Sequence, residues 1–290
     1  MSRTPAHVVA EVTPASAQWG FTGLRVVDLD DGDIDELVLD GREALVVPLT
    51  GAYDVACDGT DVRLAGRDCP HCERTDVVYL PEGSRARVIA RGGGRVAIAT
   101  SRAARRLPLR HVPAAGTTSE LRGAGNCSRR VNALCMPGQL EADTLMVCEV
   151  VTPSGNWSSY PPHKHDATTA DETELEEIYY YEVAAGPGGA PGLAYQRVYG
   201  HADREIDVLT EVRSGEVVLV PHGWHGPTMA APGHDLYYLN VMAGPGPERA
   251  WRVVDDPDHG WLRETWEHTP VDGRLLADTD RCSGHPREGS

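Results

Sequence analysis

With 290 residues the chain is about twice the usual domain length, so two separate cores are expected. Its 21 prolines, 31 glycines and single phenylalanine suit turn-rich strands better than long helices, and the expected fold class is all-β. The 27 basic and 43 acidic residues leave a formal charge of −16, which excludes nucleic acid as a partner because no basic stripe could release phosphate counterions.

The chain begins Met-Ser-Arg-Thr-Pro-Ala-His7, without the apolar stretch of a signal peptide, and no run of about 18 apolar residues follows. A cytoplasmic protein without membrane contact is expected. Short apolar runs then alternate with Gly or Asp clusters: Leu24 to Leu29, Ala44 to Leu49, Val77 to Leu80, Arg87 to Ala90 and Val96 to Thr100. Strands at this spacing indicate a sandwich or barrel. Within this stretch Cys69-Pro70-His71-Cys72 lacks a second ligand pair or a βαβ setting, so it reads as a loop without metal or redox chemistry. Seven cysteines, an odd number in a chain of this size, read as reduced thiols.

The Arg-, Ala- and Gly-rich segment from Ala103 to Gly125 is the expected connection between halves. It places an N-terminal domain without a metal site at 1–115 and a metal-binding C-terminal domain at 116–277. The apolar rhythm returns at Leu145 to Val151, Ile178 to Val183, Leu193 to Tyr199, Val217 to Val220 and Leu236 to Met242, then fades after Trp261. Residues 278–290 read as a polar, mobile tail. An internal echo links the halves: Asp76-Val-Val-Tyr-Leu-Pro-Glu-Gly83 aligns without a gap on Glu216-Val-Val-Leu-Val-Pro-His-Gly223. The halves read as duplicated units, with Arg85 opposite His225, and metal is expected only in the second.

In Pro161-Pro-His-Lys-His-Asp166, His163 and His165 are two apart, so on an extended strand both imidazoles face one way and Lys164 the other. Glu177, Tyr179 and Tyr181 share a face of the strand that follows, which lets Glu177 meet the imidazoles if the strands pair. A fourth ligand is offered by Val220-Pro-His-Gly-Trp-His225, as His222 or, after the turn at Pro221-x-Gly223, as His225. Three imidazoles and a carboxylate suit a divalent transition ion with positions left for substrate. Lys164 is the only lysine in the chain, and its compact ammonium suits contact with a carboxylate or a neighbouring strand.

The His-x-His pair, the Glu-headed strand and Gly215-x5-Pro221-x-Gly223-x-His225 resemble the two signature motifs of the cupin superfamily. That resemblance implies two double-stranded β-helix (jelly-roll) domains. Trp157 to Asp166, Leu175 to Tyr181, Gln196 to Tyr199 and Tyr237 to Pro245 further resemble the bicupin family of 5-deoxy-glucuronate isomerases of inositol catabolism, with weaker likeness at Gly125 to Arg129 and Asp256 to Trp261. The activity implied is metal-dependent aldose–ketose conversion of 5-deoxy-glucuronate to 5-dehydro-2-deoxy-D-gluconate. Zn, Mn, Fe, Co or Ni would suit His163, His165, Glu177 and His225. Tyr179 or Tyr181 would shuttle the proton, and Gln196 or Arg197 on a neighbouring strand would bind substrate, Arg197 by clamping its carboxylate. The long insertion after His165 leaves Glu174 and Glu176 as rival ligands, and the Cys-x-x-Cys loop and polar tail are departures from the family. A sugar acid is the expected partner, and a homo-oligomer is left open. The rival readings are a cupin dioxygenase with the same ligands and a non-catalytic sugar-binding cupin.

Overall fold

The computed structural model describes residues 6–201 and 204–276. The polar tail at 278–290 therefore lies outside the described residues. In the first part of the chain the strands are β1 (His7–Val12), β2 (Thr22–Leu29), β3 (Ile34–Val38), β4 (Arg42–Pro48), β5 (Gly51–Cys57), β6 (Thr60–Arg67), β7 (Val77–Leu80), β8 (Arg85–Arg91), β9 (Gly94–Arg102) and β10 (Arg110–Val112). They build one sheet in the order β1-β2-β9-β4-β7-β10 and a second in the order β3-β8-β5-β6.

The rest of the chain repeats the plan with β11 (Thr118–Arg122), β12 (Arg129–Cys135), β13 (Met146–Thr152), β14 (Trp157–Ser158), β15 (His163–Lys164), β16 (Glu176–Val183), β17 (Ala194–His201), β18 (Arg204–Val212), β19 (Val217–Val220), β20 (Trp224–Ala230), β21 (Leu236–Ala243) and β22 (Val254–Asp255). Its sheets run β11-β12-β13-β21-β16-β19 and β18-β17-β20-β15-β22, with β14 on β20. The pairs within each half are antiparallel, which is the double jelly-roll architecture expected. The segment expected as a connection is partly strand: β10 pairs with β7 and β11 with β12, so each half uses its end of the connection to cover a sheet edge.

Strand register makes the duplication exact enough to number. Ala44 pairs with Leu80 across β4 and β7, and Glu177 with Val220 across β16 and β19. Because Leu80 and Val220 match in the sequence echo, Ala44 corresponds to Glu177 and Glu43 to Glu176. Pairing onto β9 and β21 then matches Ile98 to Asn240 and Val96 to Tyr238.

Alternation along β16 divides its side chains between two cores. Ile178 and Tyr180 join an apolar cluster shared by both halves, with Leu24, Val26, Leu45, Tyr79, Leu239 and Val241. Tyr179 and Tyr181 face the interior of the C-terminal jelly roll instead. Two carboxylates lock the shared face. Glu43 accepts hydrogen bonds from the backbone N–H groups of Asp143, Thr144 and Leu145, each at 2.7 Å. Its counterpart Glu176 accepts from Gly20, Phe21 and Thr22 at 2.6, 2.9 and 3.0 Å. Each half thus supplies a carboxylate to the start of the other's strand, the reciprocity that an approximate two-fold between duplicated units produces. A buried Arg67–Glu149 pair at 2.7 Å, joined by Asn132 and Tyr237, ties the halves a third time.

Cys57, Cys69, Cys127, Cys135 and Cys148 are free thiols. Cys72 departs from the expectation of reduced cysteines, being disulfide-bonded. Among the described residues no helix is long and apolar enough to cross a membrane.

Candidate metal centre

The short β15 lies between β20 and β22, with His163 directly opposite His225 and Asp255. The turn before β20 needs glycine at position 223: its φ is +90°, and a Cβ there would stand 2.6 Å from the Tyr199 carbonyl oxygen. That turn brings His225 beneath β15, while β16 carries Glu177 to the same point from the facing sheet.

His165, Glu177 and His225 offer ligand atoms that all lie within 4.8 Å of one another. The Glu177 Oε2 atom is 2.9 Å from His165 Nε2 and 3.2 Å from His225 Nε2, and all three residues are buried. His163 stands beside this group, its ring 4.4 Å from that of His225 and 6.3 Å from that of His165. Each imidazole turns Nδ1 toward a backbone carbonyl: His163 to Pro161 at 3.5 Å, His165 to Leu175 at 3.3 Å and His225 to Gly223 at 3.1 Å. With Nδ1 held at a carbonyl, Nε2 is the atom each ring turns toward the centre of the group, the arrangement that orients metal-binding histidines. His225 Nε2 is buried without a hydrogen-bond partner despite its closeness to Glu177. These donors fit a divalent transition cation.

The charges agree with that fit. Burial alone would raise the Glu177 carboxyl, but the His165 hydrogen bond and the adjacent His225 imidazole outweigh it and hold the group well below the usual carboxylate range. Burial pushes His163 well below its ordinary value, and the neighbouring His225 and His165 push it further. His165 moves the other way: burial lowers it, but the Glu177 hydrogen bond and charge raise it.

The rival ligands are positioned elsewhere. Glu176 is committed to residues 20–22 of the other half, Glu174 is exposed, and His222 is not in the ligand group. Lys164 points away from the imidazoles and grips Asp166 and Glu172 at 2.9 and 2.7 Å. Asp166 also accepts from the Gly223 N–H at 2.9 Å and contacts His201 Nε2 at 2.7 Å. This carboxylate therefore joins the residue after His165 to the turn that sets His225. Burial would raise the Asp166 carboxyl, but Lys164, His201 and the Gly223 N–H hold it well below the ordinary value.

A cavity of about 460 Å3 opens beside the ligands, and His163, Glu177, Tyr179, Tyr238, Asn240 and Arg129 are among its walls. Of the four expected catalytic residues, Tyr179 alone is in that wall. Tyr181 donates to Gln196 Oε1 at 3.0 Å, Thr228 bonds the same oxygen, and the trio is buried in the sandwich. Arg197 turns outward to Asp207, the Val208 carbonyl and the Tyr199 ring. Sequence reasoning passed over Glu172, and named Tyr238 and Asn240 only within the similar segment Tyr237 to Pro245 and Arg129 only as the end of a weakly similar one. Register from the echo identifies Asn240 and Tyr238 once β21 is placed beside β16.

The KduI/IolB family model matches residues 1–262. A 5-deoxy-glucuronate isomerase of Geobacillus kaustophilus is 40% identical over 260 residues, 89% of this chain and 91% of that protein. The Bacillus subtilis (strain 168) protein of the same name is 36% identical over 89% of this chain and 93% of its own length. Among solved structures, an IolB-like protein from Salmonella typhimurium LT2 superposes with a TM-score of 0.82 at 34% identity, covering 90% of this chain and 98% of that one. Oxalate decarboxylase of Bacillus subtilis, whose Mn(II) centres have been characterised, shares the fold at a TM-score of 0.60 and 13% identity, over 88% of this chain and 78% of its own. With the match running through both jelly rolls and the ligand-bearing strands, this chain belongs to the KduI/IolB family.

Proposed function

We propose that this protein is an aldose–ketose isomerase that converts 5-deoxy-glucuronate to 5-dehydro-2-deoxy-D-gluconate in cytoplasmic myo-inositol catabolism. The reading is carried by the match, over about nine-tenths of the chain, to enzymes named for that substrate. His163, His165, Glu177 and His225 would hold a divalent transition metal, with Zn, Mn, Fe, Co and Ni all compatible with the donors. The catalytic unit is 116–277, and 1–115 is the unit without a metal.

The reaction moves a proton between C2 and C1 through an ene-diolate, whose oxygens need charge stabilisation. A bound cation supplies Lewis-acid polarisation of the substrate carbonyl. The chain's own part is to dry, shape and orient the cavity. Tyr179 is held protonated, because burial and the Glu177 charge raise its hydroxyl well above the ordinary value. Tyr238 is pushed up to about 12, chiefly by burial. Both hydroxyls meet Ser159 Oγ at 3.2 Å, and at neutral pH they serve as hydrogen-bond donors rather than as the base. Tyr181 and Gln196 brace β16 against β17 and take no direct part.

Metal-loaded protein should convert 5-deoxy-glucuronate without oxygen and exchange the C2 proton with solvent. Absence of both turnover and exchange would refute the isomerase. Substrate-dependent oxygen uptake would instead identify a dioxygenase. Sugar binding without turnover that survives Glu177→Gln would identify a binding module.

A further inference from the structure

One wall of the cavity carries a charge that metal binding does not use. Arg129, the first residue of β12, is 8% exposed. Its guanidinium donates to the carbonyl oxygens of Cys127 at 3.1 Å and Tyr160 at 3.3 Å, and lies 5.7 Å from the centre of the Trp266 ring. No carboxylate pairs with it among the described residues. Its two neighbours in the same wall are both neutralised, Arg122 by Glu120 at 3.0 Å and Arg263 by Asp255 at 2.7 Å. A buried cation without a counterion is costly, and a guanidinium fork is shaped for a carboxylate. A second donor in that wall is also unsatisfied: Asn240, 4% exposed, has no partner for its Nδ2.

We propose that Arg129, assisted by the Asn240 amide, receives the carboxylate of the sugar acid and so sets which end of the substrate lies against Glu177 and the histidines. This rests on the isomerase reading for the identity of the substrate, and it replaces Arg197 as the expected clamp. Both carbonyl contacts are made by Nη1, which leaves Nε and Nη2 as the open fork, and the Trp266 ring stands beside the guanidinium. Its preorganised fork would gain charge-assisted hydrogen bonds when the anion enters.

The test uses the unreactive open-chain probes D-gluconate and D-gluconamide, titrated calorimetrically into the metal-loaded full chain. Wild-type protein should bind gluconate about tenfold or more tightly than the amide. Arg129→Gln should erase that preference, Arg129→Lys should keep part of it, and Arg122→Gln and Arg263→Gln should leave it intact. On 5-deoxy-glucuronate, Arg129→Gln should raise KM by about tenfold or more with a smaller change in kcat. The proposal is overturned if wild type does not discriminate, which needs no variant to fold. It is equally overturned if the preference survives Arg129→Gln, since the carboxylate then sits elsewhere, or vanishes in Arg263→Gln. Gluconate preference that depends on Arg129, in a protein inert toward 5-deoxy-glucuronate, would uphold the anion site and remove the isomerase reading alone.

Discussion

Where the C-terminal jelly roll has Glu177, Tyr179, Tyr238 and Asn240, register gives the N-terminal one Ala44, Val46, Val96 and Ile98. All four N-terminal residues are buried in the aliphatic core of that half. At the fifth position His225 faces Arg85 in the sequence echo. The two sandwiches thus share strand order and interface carboxylates but fill their interiors with opposite chemistry. One packs its interior shut, as a stable core does, while the other lines a cavity with polar groups. Stability and chemistry have been divided between copies of one fold.

The largest effect should come from giving the C-terminal half the residues of its partner. Glu177→Ala, which imports the alanine that the N-terminal half has at Ala44, removes the carboxylate that holds His165 and His225 together. Activity should fall on the order of 1,000-fold, and bound metal, measured by elemental analysis, should approach zero. His225→Arg should do the same. Retention of stoichiometric metal by either variant would show that the contrast between halves does not turn on these ligands.

The reciprocal carboxylates offer a contrast in stability instead. Glu43→Ala strands three N–H groups, one of them buried, and removes the fully buried carboxylate that Tyr79 and Ser101 bond. Urea denaturation should reveal a loss of about 3–5 kcal/mol. Glu176→Ala should cost about 1–2 kcal/mol, because Gly20 and Phe21 can turn to water. Equal losses would mean that burial does not distinguish the two ends of the interface.

Asp166→Asn probes how the chelating strand is held, through a residue whose carboxylate bonds Lys164, His201 and the Gly223 N–H and no ligand side chain. Metal affinity, read by competition with a chelator, should weaken about 10- to 100-fold, while the unfolding midpoint changes less than in Glu43→Ala. Unchanged affinity would leave the Lys164–Asp166–Glu172 group a structural knot.

Much of this arrangement could be read before any coordinates. Alternation alone put Glu177, Tyr179 and Tyr181 on one face, and the eight-residue echo set β7 against β19, from which the strand pairings carry the register on to β4 and β16 and to β9 and β21. The unreadable part involves contacts set by chain closure. Glu176 and Glu177 are indistinguishable as neighbouring glutamates, and only the packing of one half on the other commits the first to the interface. Arg129 lies 48 residues before Glu177 and enters the cavity from a strand three places away in the sheet, so no local spacing announces it. The short strands β10 and β11 lie hidden in a segment whose composition resembles a connector, because edge strands need little apolar surface.

Arg197 should give the smallest effect, and for a reason the comparison supplies. Val55 pairs with Val88 and Gln196 with Thr228, so the register that relates the halves matches Val55 to Gln196, both inward, and Ala56 to Arg197 on the outer face. Position 197 therefore points away from the barrel in either unit. Its guanidinium reaches Asp207, whose side chain is 83% exposed, and an ion pair so open to solvent contributes about 0–1 kcal/mol. Arg197→Gln should leave kcat/KM for 5-deoxy-glucuronate within about twofold and the unfolding midpoint almost unmoved. A loss of 100-fold would require the β17 bulge next to Gln196 to redirect the side chain inward on substrate binding, and would return the carboxylate from Arg129 to this strand.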